Sequence, residues 1–475
     1  MKQIKRILPF LAAALFVAII FGGFTAPVYA KEKNYEIATD DTFAPFEFEN
    51  GKGELVGIDM DILKAIAKDQ GFTYSVKPMG FNAAVQALEG RQVDGVIAGM
   101  SITNERKKKF DFSTPYFETG VVMAVKKGDN EIKSYKDLKG KKVAVKTGTE
   151  GYQFAEKNQA KYGYKLVPFD DSAGMYEDVK GGNSVACFDD YPVLAYGVKQ
   201  GNGLEIVTKK ESGGSYGFAV KKGQSKELLD QFNAGLKHIK STGEYGKIID
   251  KYVGSDAKTD TFWDTLINSS PALLAGLWNT IKLTFISLFF AAVLGLVFGF
   301  LKVSRNKVMR GIASVYVDIF RGIPLIVLAF FIYFGIPQAL NFRMDPTVAA
   351  IITLSLNAGA YITELIRGGI NAIDKGQMEA ARSLGLPYGK AMSKIVLPQA
   401  VRVMVPSFIN QFVITLKDTS IMSVIGLVEL TQSGKIIIAR TFETTGIWFV
   451  VAVMYLVVIT LLTKLSNILE RRLGK

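Results

Sequence analysis

The sequence predicts two folds in series: a soluble α/β domain over residues 31–253, and, after a linker at 254–262, an all-α membrane domain with five spans over 263–475. Three observations carry that division. In the first half, short apolar runs such as Val121–Val125, Val143–Val145 and Gly217–Val220 alternate with helical stretches such as Asp59–Lys68 and Lys226–Ile239, the pattern of strands interleaved with helices. After Gly254 the polar stretch Ser255–Thr261 reads as a linker, and long apolar segments follow it. Charge also divides there. Residues 31–262 balance 34 Lys and Arg against 34 Asp and Glu, whereas 263–475 carry 20 against 10.

Residues 1–30 read as a secretory signal: Lys2, Lys5 and Arg6, then an apolar run from Ile7, then Val28-Tyr29-Ala30 as a cleavage site. A retained first membrane helix is the alternative. Either way the α/β domain lies outside the cytoplasm.

The five apolar candidates are Leu283–Leu301, Gly322–Leu340, Pro346–Thr363, Val403–Leu416 and Thr444–Thr463. Four approach the ~20 residues that cross a bilayer, and the fourth is short enough by length alone to be re-entrant. Positive charge decides the parity. With residue 262 outside and five spans, the inside pieces hold 15 Lys and Arg, and the outside pieces hold only Lys282, Arg343, Lys417, Lys435 and Arg440, as the positive-inside bias requires. The C-terminus is then cytoplasmic, in a multi-pass protein of the cell membrane in contact with lipid.

Composition narrows the chemistry. Cys187 is alone and His238 is the only histidine, so an internal disulfide, a structural zinc and histidine-based catalysis are disfavoured and no metal site is expected. The net charge of +13 belongs to the membrane half, so it does not point to nucleic acid. No Gly-x-x-x-x-Gly-Lys-Ser/Thr occurs, so the chain does not cradle ATP phosphates by that device.

One inside loop, 379–398, reads Glu379-Ala380-Ala381, Gly385, then Ile395, Leu397 and Pro398. It resembles the "EAA" loop of ABC importer permeases at each defining position. That resemblance implies a helix-turn-helix seated in a groove of a separate cytoplasmic ATPase, with Ala380 and Ala381 allowing close approach and Gly385 making the turn. ATP and Mg would sit on that partner, and no cofactor is expected in this chain. Phe320-Arg321-Gly322-Ile323-Pro324-Leu325, Gly376-Gln377 and Lys417-Asp418-Thr419-Ser420 resemble stretches of the polar amino-acid subfamily. One permease half is present, so a homodimer or a related permease partner is implied.

The first half resembles amino-acid-binding proteins of the glutamine type. The matching stretches are Asp40–Phe48, Lys77–Phe81, Ile102–Lys107 and Phe112–Tyr116. A two-lobed periplasmic-type clamp is the fold implied, and the repeat of Ala-Val-Lys-Lys-Gly at 124–128 and 219–223 fits its two crossover strands. The resemblance implies a ligand set of Asp40, Phe43, Phe81, Ala98, Gly99, Ser101, Arg106, Lys146, Thr149 and Asp190. A free amino acid needs a fork of donors, an anion and something chosen for its side chain. Arg106 would take the carboxylate, with backbone donors at Ser101 and Thr149, and Asp190 the ammonium. Phe43 and Phe81 would sandwich the stem, with Asp40 and Lys146 at its far end.

An amide needs one acceptor and one donor, which Asp40 and Lys146 supply. Glutamine is therefore the first expectation, with protonated glutamate second and asparagine third. Asp189, an extra acid beside Asp190, either draws in a cationic ligand or faces solvent, so basic amino acids stay open. In the third span Asn357, Tyr361 and Glu364 share one helical face, as translocation path or as a structural stripe.

Three other classes are weaker. A ligand-gated channel built on this clamp would interrupt 35–253 with membrane segments and carry a pore filter. An enzyme would show an acid/base pair apart from the ligand set. A sensor would carry an output segment after the last span.

Overall fold

A computed structural model describes residues 34–211, 213–253 and 261–473. The expected signal at 1–30 and the body of the linker lie outside the described residues. Among the described residues of the first half, two sheets of five strands are the largest, beside a three-stranded sheet, Thr42–Phe43, Glu47–Glu49 and Leu55–Val56, and a two-stranded one. One large sheet orders Thr73–Pro78, Asn34–Thr39, Gly95–Val96, Ala219–Lys221 and Phe110–Phe112; the other orders Lys165–Phe169, Lys142–Lys146, Ala186–Asp190, Val121–Lys126 and Leu204–Ile206. In each, the first three strands run parallel and the fourth is antiparallel to both neighbours. The two large sheets are two lobes of one topology.

That symmetry explains the repeat. The first copy of Ala-Val-Lys-Lys-Gly ends Val121–Lys126 and the second includes Ala219–Lys221, the antiparallel strands at equivalent places in the two sheets. Each is the strand by which the chain enters a lobe after crossing. The crossings run side by side, Phe117–Glu118 pairing with Ser215–Tyr216. Each lobe has its own core, around Ile37, Phe46, Ile58 and Phe232 in the first and around Val143, Val145 and Phe188 in the second. Helices Lys226–Ser241 and Glu244–Val253 close back onto the first lobe, with Tyr252 reaching Asp61 at 2.9 Å.

The membrane half is all helix. Among the described residues, three helices are long and apolar enough to cross a bilayer: Phe262–Lys302, Pro346–Asn371 and Thr444–Lys464. Two more spans exist if each bent pair counts as one, Lys307–Gly322 with Leu325–Leu340 at 103°, and Tyr388–Ile425 with Leu430–Thr441 at 49°. The sharper bend falls at Ile323-Pro324, where Ile323 is extended, because proline disfavours helical geometry in the residue before it. The short apolar run Val403–Leu416 is only the middle of the helix Leu397–Asp418.

Small residues let these helices approach. A Cβ on Gly295 would lie 2.2 Å from Ile362 Cγ2, and one on Gly299 2.8 Å from Ile366 Cγ2. The clamp rests on this half. One apolar cluster runs from Met79, Phe81 and Leu88 of the first lobe into Leu328, Tyr333 and Ile425, and Ala173 of the second lobe packs with Leu273 and Ile438.

Candidate functional site

The expected ligand residues converge where the lobes face each other. Asp40 follows the strand Asn34–Thr39 of the first lobe, and Lys146 ends Lys142–Lys146 of the second. Their charges meet across the cleft at 2.9 Å, both side chains at most 2% exposed. Asp40 Oδ1 also accepts from Thr42 N at 3.0 Å and Thr42 Oγ1 at 2.8 Å. The Lys146 ammonium sits 4.3 Å from the Phe43 ring centre. Burial alone would lower its pKa, and the carboxyls of Asp40, first, then Asp189 and Glu47 together more than offset that and raise it.

Arg106 occupies a short 3₁₀ turn, Arg106–Lys108. Its guanidinium stacks on Phe81, 5.1 Å from the ring centre, and donates to Ser101 O at 3.1 Å and to Gly148 O in the opposite lobe. Burial draws its pKa down to about 10. Gly148 has a positive φ of 76°, and a Cβ there would lie 2.9 Å from Phe81. Thr149 caps the helix Glu150–Tyr162, accepting from Tyr152 N at 3.2 Å. Gly99 lets Phe43 approach, since its Cβ would lie 2.5 Å from that ring, and its N donates to Asp59 at 2.9 Å. Ala98 and Ser101 are buried beside it.

Asp190 ends the strand Ala186–Asp190. One oxygen accepts from the Tyr216 hydroxyl, and the other, Oδ1, is buried with no hydrogen-bond partner among the described residues. Burial first, and the neighbouring Asp189 next, push its carboxyl well above the usual carboxylate range. The structure corrects the solvent-facing reading of Asp189. Adjacent residues of a strand point to opposite faces, so Asp189 turns into the lobe, fully buried, and accepts from Ser172 Oγ at 3.2 Å, Tyr176 Oη at 2.6 Å and Asp190 N at 2.8 Å. It does not face solvent.

Sequence reasoning missed several participants. Tyr216 joins Asp190 from the return crossing, and Asn82 Nδ2 reaches Thr147 Oγ1 across the lobes at 3.1 Å. Behind Phe43 lie Glu47 and Asp59, both fully buried, their carboxyls raised by burial. No spacing signal marks these residues, because tertiary packing alone brings them in.

The "EAA" loop is a helix-turn-helix. Lys375–Ser383 ends in a turn at Gly385, φ 81°, with Leu386 N on Ala381 O at 3.1 Å and Gly385 N on Arg382 O at 3.0 Å, the Schellman arrangement in which a left-handed residue closes the helix. Glu379 and Ala380 are exposed, and Ala381 turns inward at 5%, so only Ala380 of the two alanines is available for close approach by another chain. Leu384 stands 84% exposed beside the turn. In the helix Pro346–Asn371, Glu364 is tied to Arg367 at 2.6 Å and Lys302 at 3.5 Å.

A closed two-lobed clamp, with cation and anion from opposite lobes and a helical membrane domain on the same chain, defines a solute-binding domain joined to a permease. Residues 35–255 match the model of bacterial extracellular solute-binding proteins, family 3, and 265–475 match that of the binding-protein-dependent transport system inner membrane component. The glutamine transport system permease protein GlnP of Escherichia coli (strain K12) is 39% identical over 212 residues, 44% of this chain and 97% of that protein. The arginine transport system permease protein ArtQ of Bacillus subtilis (strain 168) is 39% identical over 203 residues, 43% of this chain and 93% of that protein. Among solved structures, substrate binding domain 2 of Lactococcus lactis GlnP in an open conformation is 44% identical, covering 48% of this chain and 99% of that one, with a TM-score of 0.38. The chain belongs to the binding-protein-dependent transport system inner membrane components, with a family 3 solute-binding domain ahead of the permease domain.

Two predictions follow from the charges. Lys146→Met leaves Asp40 buried without its cation and costs about 3–5 kcal/mol, and adding Asp40→Leu recovers most of the loss, read by denaturant unfolding of the clamp. The raised Asp190 carboxyl stabilises the fold while protonated, and that contribution is lost as pH rises from the carboxylate range through its folded pKa. Asp190→Asn is therefore more stable than wild type by at least about 1 kcal/mol near about pH 8, a gap that closes toward about pH 4, read by the same unfolding series across pH.

Proposed function

We propose that this chain is the substrate-binding and permease subunit of an ATP-driven ABC importer for a polar amino acid, with glutamine as the substrate. The observation that carries the reading is the charge-balanced end of the cleft, Asp40 and Lys146 at 2.9 Å from opposite lobes. A neutral amide offers each a partner, whereas a cationic side chain faces Lys146 and an anionic one faces Asp40. At the other end Arg106 takes the carboxylate in place of the carbonyls it now binds, and the ammonium meets the buried Asp190 Oδ1. Ligand ties the lobes by its differential affinity for the closed form.

The buried carboxyls Asp40, Glu47, Asp59, Asp189 and Asp190, against the cations Arg106 and Lys146, favour a second reading, a basic amino acid. Relatives named for glutamine and for arginine are equally similar. Glutamate carried as the protonated acid and asparagine rank behind glutamine.

The transport cycle needs more than this chain. A cytoplasmic ATPase, carrying ATP and Mg, docks on Glu379, Ala380 and the Gly385 turn, with exposed Leu384 beside them and Ala381 packed behind. Two copies pair through the membrane domain. Five spans, each bent pair counting as one, place the clamp outside and the C-terminus inside a lipid membrane, behind a cleaved signal at 1–30.

Calorimetry on the fragment 31–258 with the twenty amino acids tests the reading. Glutamine gives the tightest binding, and Arg106→Ala weakens it at least about 100-fold. Tight arginine binding with no response to glutamine would overturn the substrate assignment.

A further inference from the structure

Two carboxyl groups lie against each other beneath the cleft, inside the first lobe. Glu47 stands directly opposite Phe43 in the three-stranded sheet, and Asp59 lies in the first turn of the helix Ile58–Gln70, its N donating to Phe46 O at 2.9 Å. Both residues are 0% exposed. Glu47 Oε1 and Oε2 and Asp59 Oδ1 find no hydrogen-bond donor among the described residues.

Two bare carboxylates in contact and cut off from water oppose each other, and each orphaned oxygen carries its full cost of desolvation. One proton between them removes both penalties, because a carboxylic acid donates where a carboxylate accepts. The surroundings decide where the remaining charge sits. Asp59 Oδ2 accepts from Gly99 N at 2.9 Å and from Tyr116 Oη at 2.7 Å, and the start of its helix favours an anion. Glu47 has neither support. The other titratable groups that face the pair are Asp40, Lys146, Tyr116 and Tyr245. Burial first, then Asp59 and Asp40, hold the Glu47 carboxyl well above the usual carboxylate range, whereas that of Asp59 rises only to about 6. Glu47 is thus the acid and Asp59 the anion.

The bond to Gly99 gives the pair a purpose. Gly99 has a positive φ of 51° and lies against the Phe43 ring, in the stretch Ile97–Ser101 that leads from the strand Gly95–Val96 to Arg106. Other holds on that stretch grip its carbonyls: Thr39 Oγ1 on Ile97 O at 2.6 Å, Gly217 N on Met100 O at 3.0 Å and Arg106 on Ser101 O at 3.1 Å. Asp59 grips an amide. We propose that Glu47 and Asp59 share one proton, and that the pair is a positioning element for the ligand loop, keeping an anionic acceptor on the Gly99 amide. The inference rests on the reading of the cleft as an amino-acid site for its purpose, and on the buried contacts for its chemistry. The pair carries one negative charge in place of two, so Glu47 supplies no counter-charge to a basic side chain.

The test uses the full chain in lipid nanodiscs at about pH 8, with the isosteric variants Glu47→Gln and Asp59→Asn. In the infrared difference between wild type and Glu47→Gln, the variant loses the carbonyl band of one protonated carboxyl and keeps every carboxylate band. Loss of a carboxylate band instead would overturn the shared proton. Labelled glutamine and arginine are the binding probes, and the tighter of the two is followed. The amide of Glu47→Gln donates to Asp59 as the shared proton did, so binding stays within about threefold of wild type. Asp59→Asn keeps the oxygen but not its charge, and binding weakens at least about fivefold. Hydrogen exchange at the Gly99 amide speeds up in Asp59→Asn and not in Glu47→Gln. Equal effects of the two variants on binding would overturn the positioning role, as would equal exchange rates in a chain that binds neither probe. A chain that binds neither amino acid yet gives the expected infrared and exchange results counts against the importer reading and for the pair.

Discussion

Charges of opposite sign, supplied by opposite lobes and buried together, are the constraint on which the clamp depends. Asp40 meets Lys146, and the Arg106 guanidinium reaches Gly148 O while Tyr216 reaches Asp190. A buried ion pair adds little net stability once desolvation is counted, but breaking it by removing one partner is costly. The pairs therefore fix how the lobes meet rather than how strongly each lobe folds, since each has its own apolar core. Burial makes every group in the cleft expensive to charge, so the cleft responds to a ligand that brings its own complementary charges.

The membrane half is organised to receive that clamp. Apolar packing is continuous from Met79 and Phe81 into Tyr333 and Ile425, and polar contacts stand at its edges. Gln432 donates to both oxygens of Asp41, at 3.3 and 3.2 Å. Burial, then neighbouring Asp40, pushes the Asp41 carboxyl up to about 7, so this contact joins the ligand cleft electrostatically to the permease surface one residue away. On the far side, the Gly385 turn presents Leu384 and Glu379 to solvent.

Much of this was legible in the sequence because motif spacing is a local property. The "EAA" positions fall on one helix-turn-helix with Gly385 left-handed as expected, and the duplicated Ala-Val-Lys-Lys-Gly falls on equivalent strands. Asp189 was misread because its type and position are visible in the sequence, but strand alternation decides its face. Val403–Leu416 looked short because apolar length underestimates a helix whose other turns are polar, Gln399 and Arg402 among them. Tyr216 was invisible, acting on a partner far away in the chain. Arg343 and Arg440 carried a faint signal as positive charges on loops expected to be outside, where such charges are scarce; Arg343 pairs with Asp94 of the clamp, and Arg440 lies at its edge beside Gly51.

The central claim is that ligand and cross-lobe charges together close the clamp. Spin labels on exposed Lys64→Cys of the first lobe and Lys157→Cys of the second, in the full chain with Cys187 replaced, report the distance between lobes directly. Glutamine is predicted to shift the distance distribution to a single shorter population in the wild-type background, with no shift when Arg106 is alanine. A distribution that no amino acid changes, or one that glutamine shortens equally without Arg106, would contradict the account.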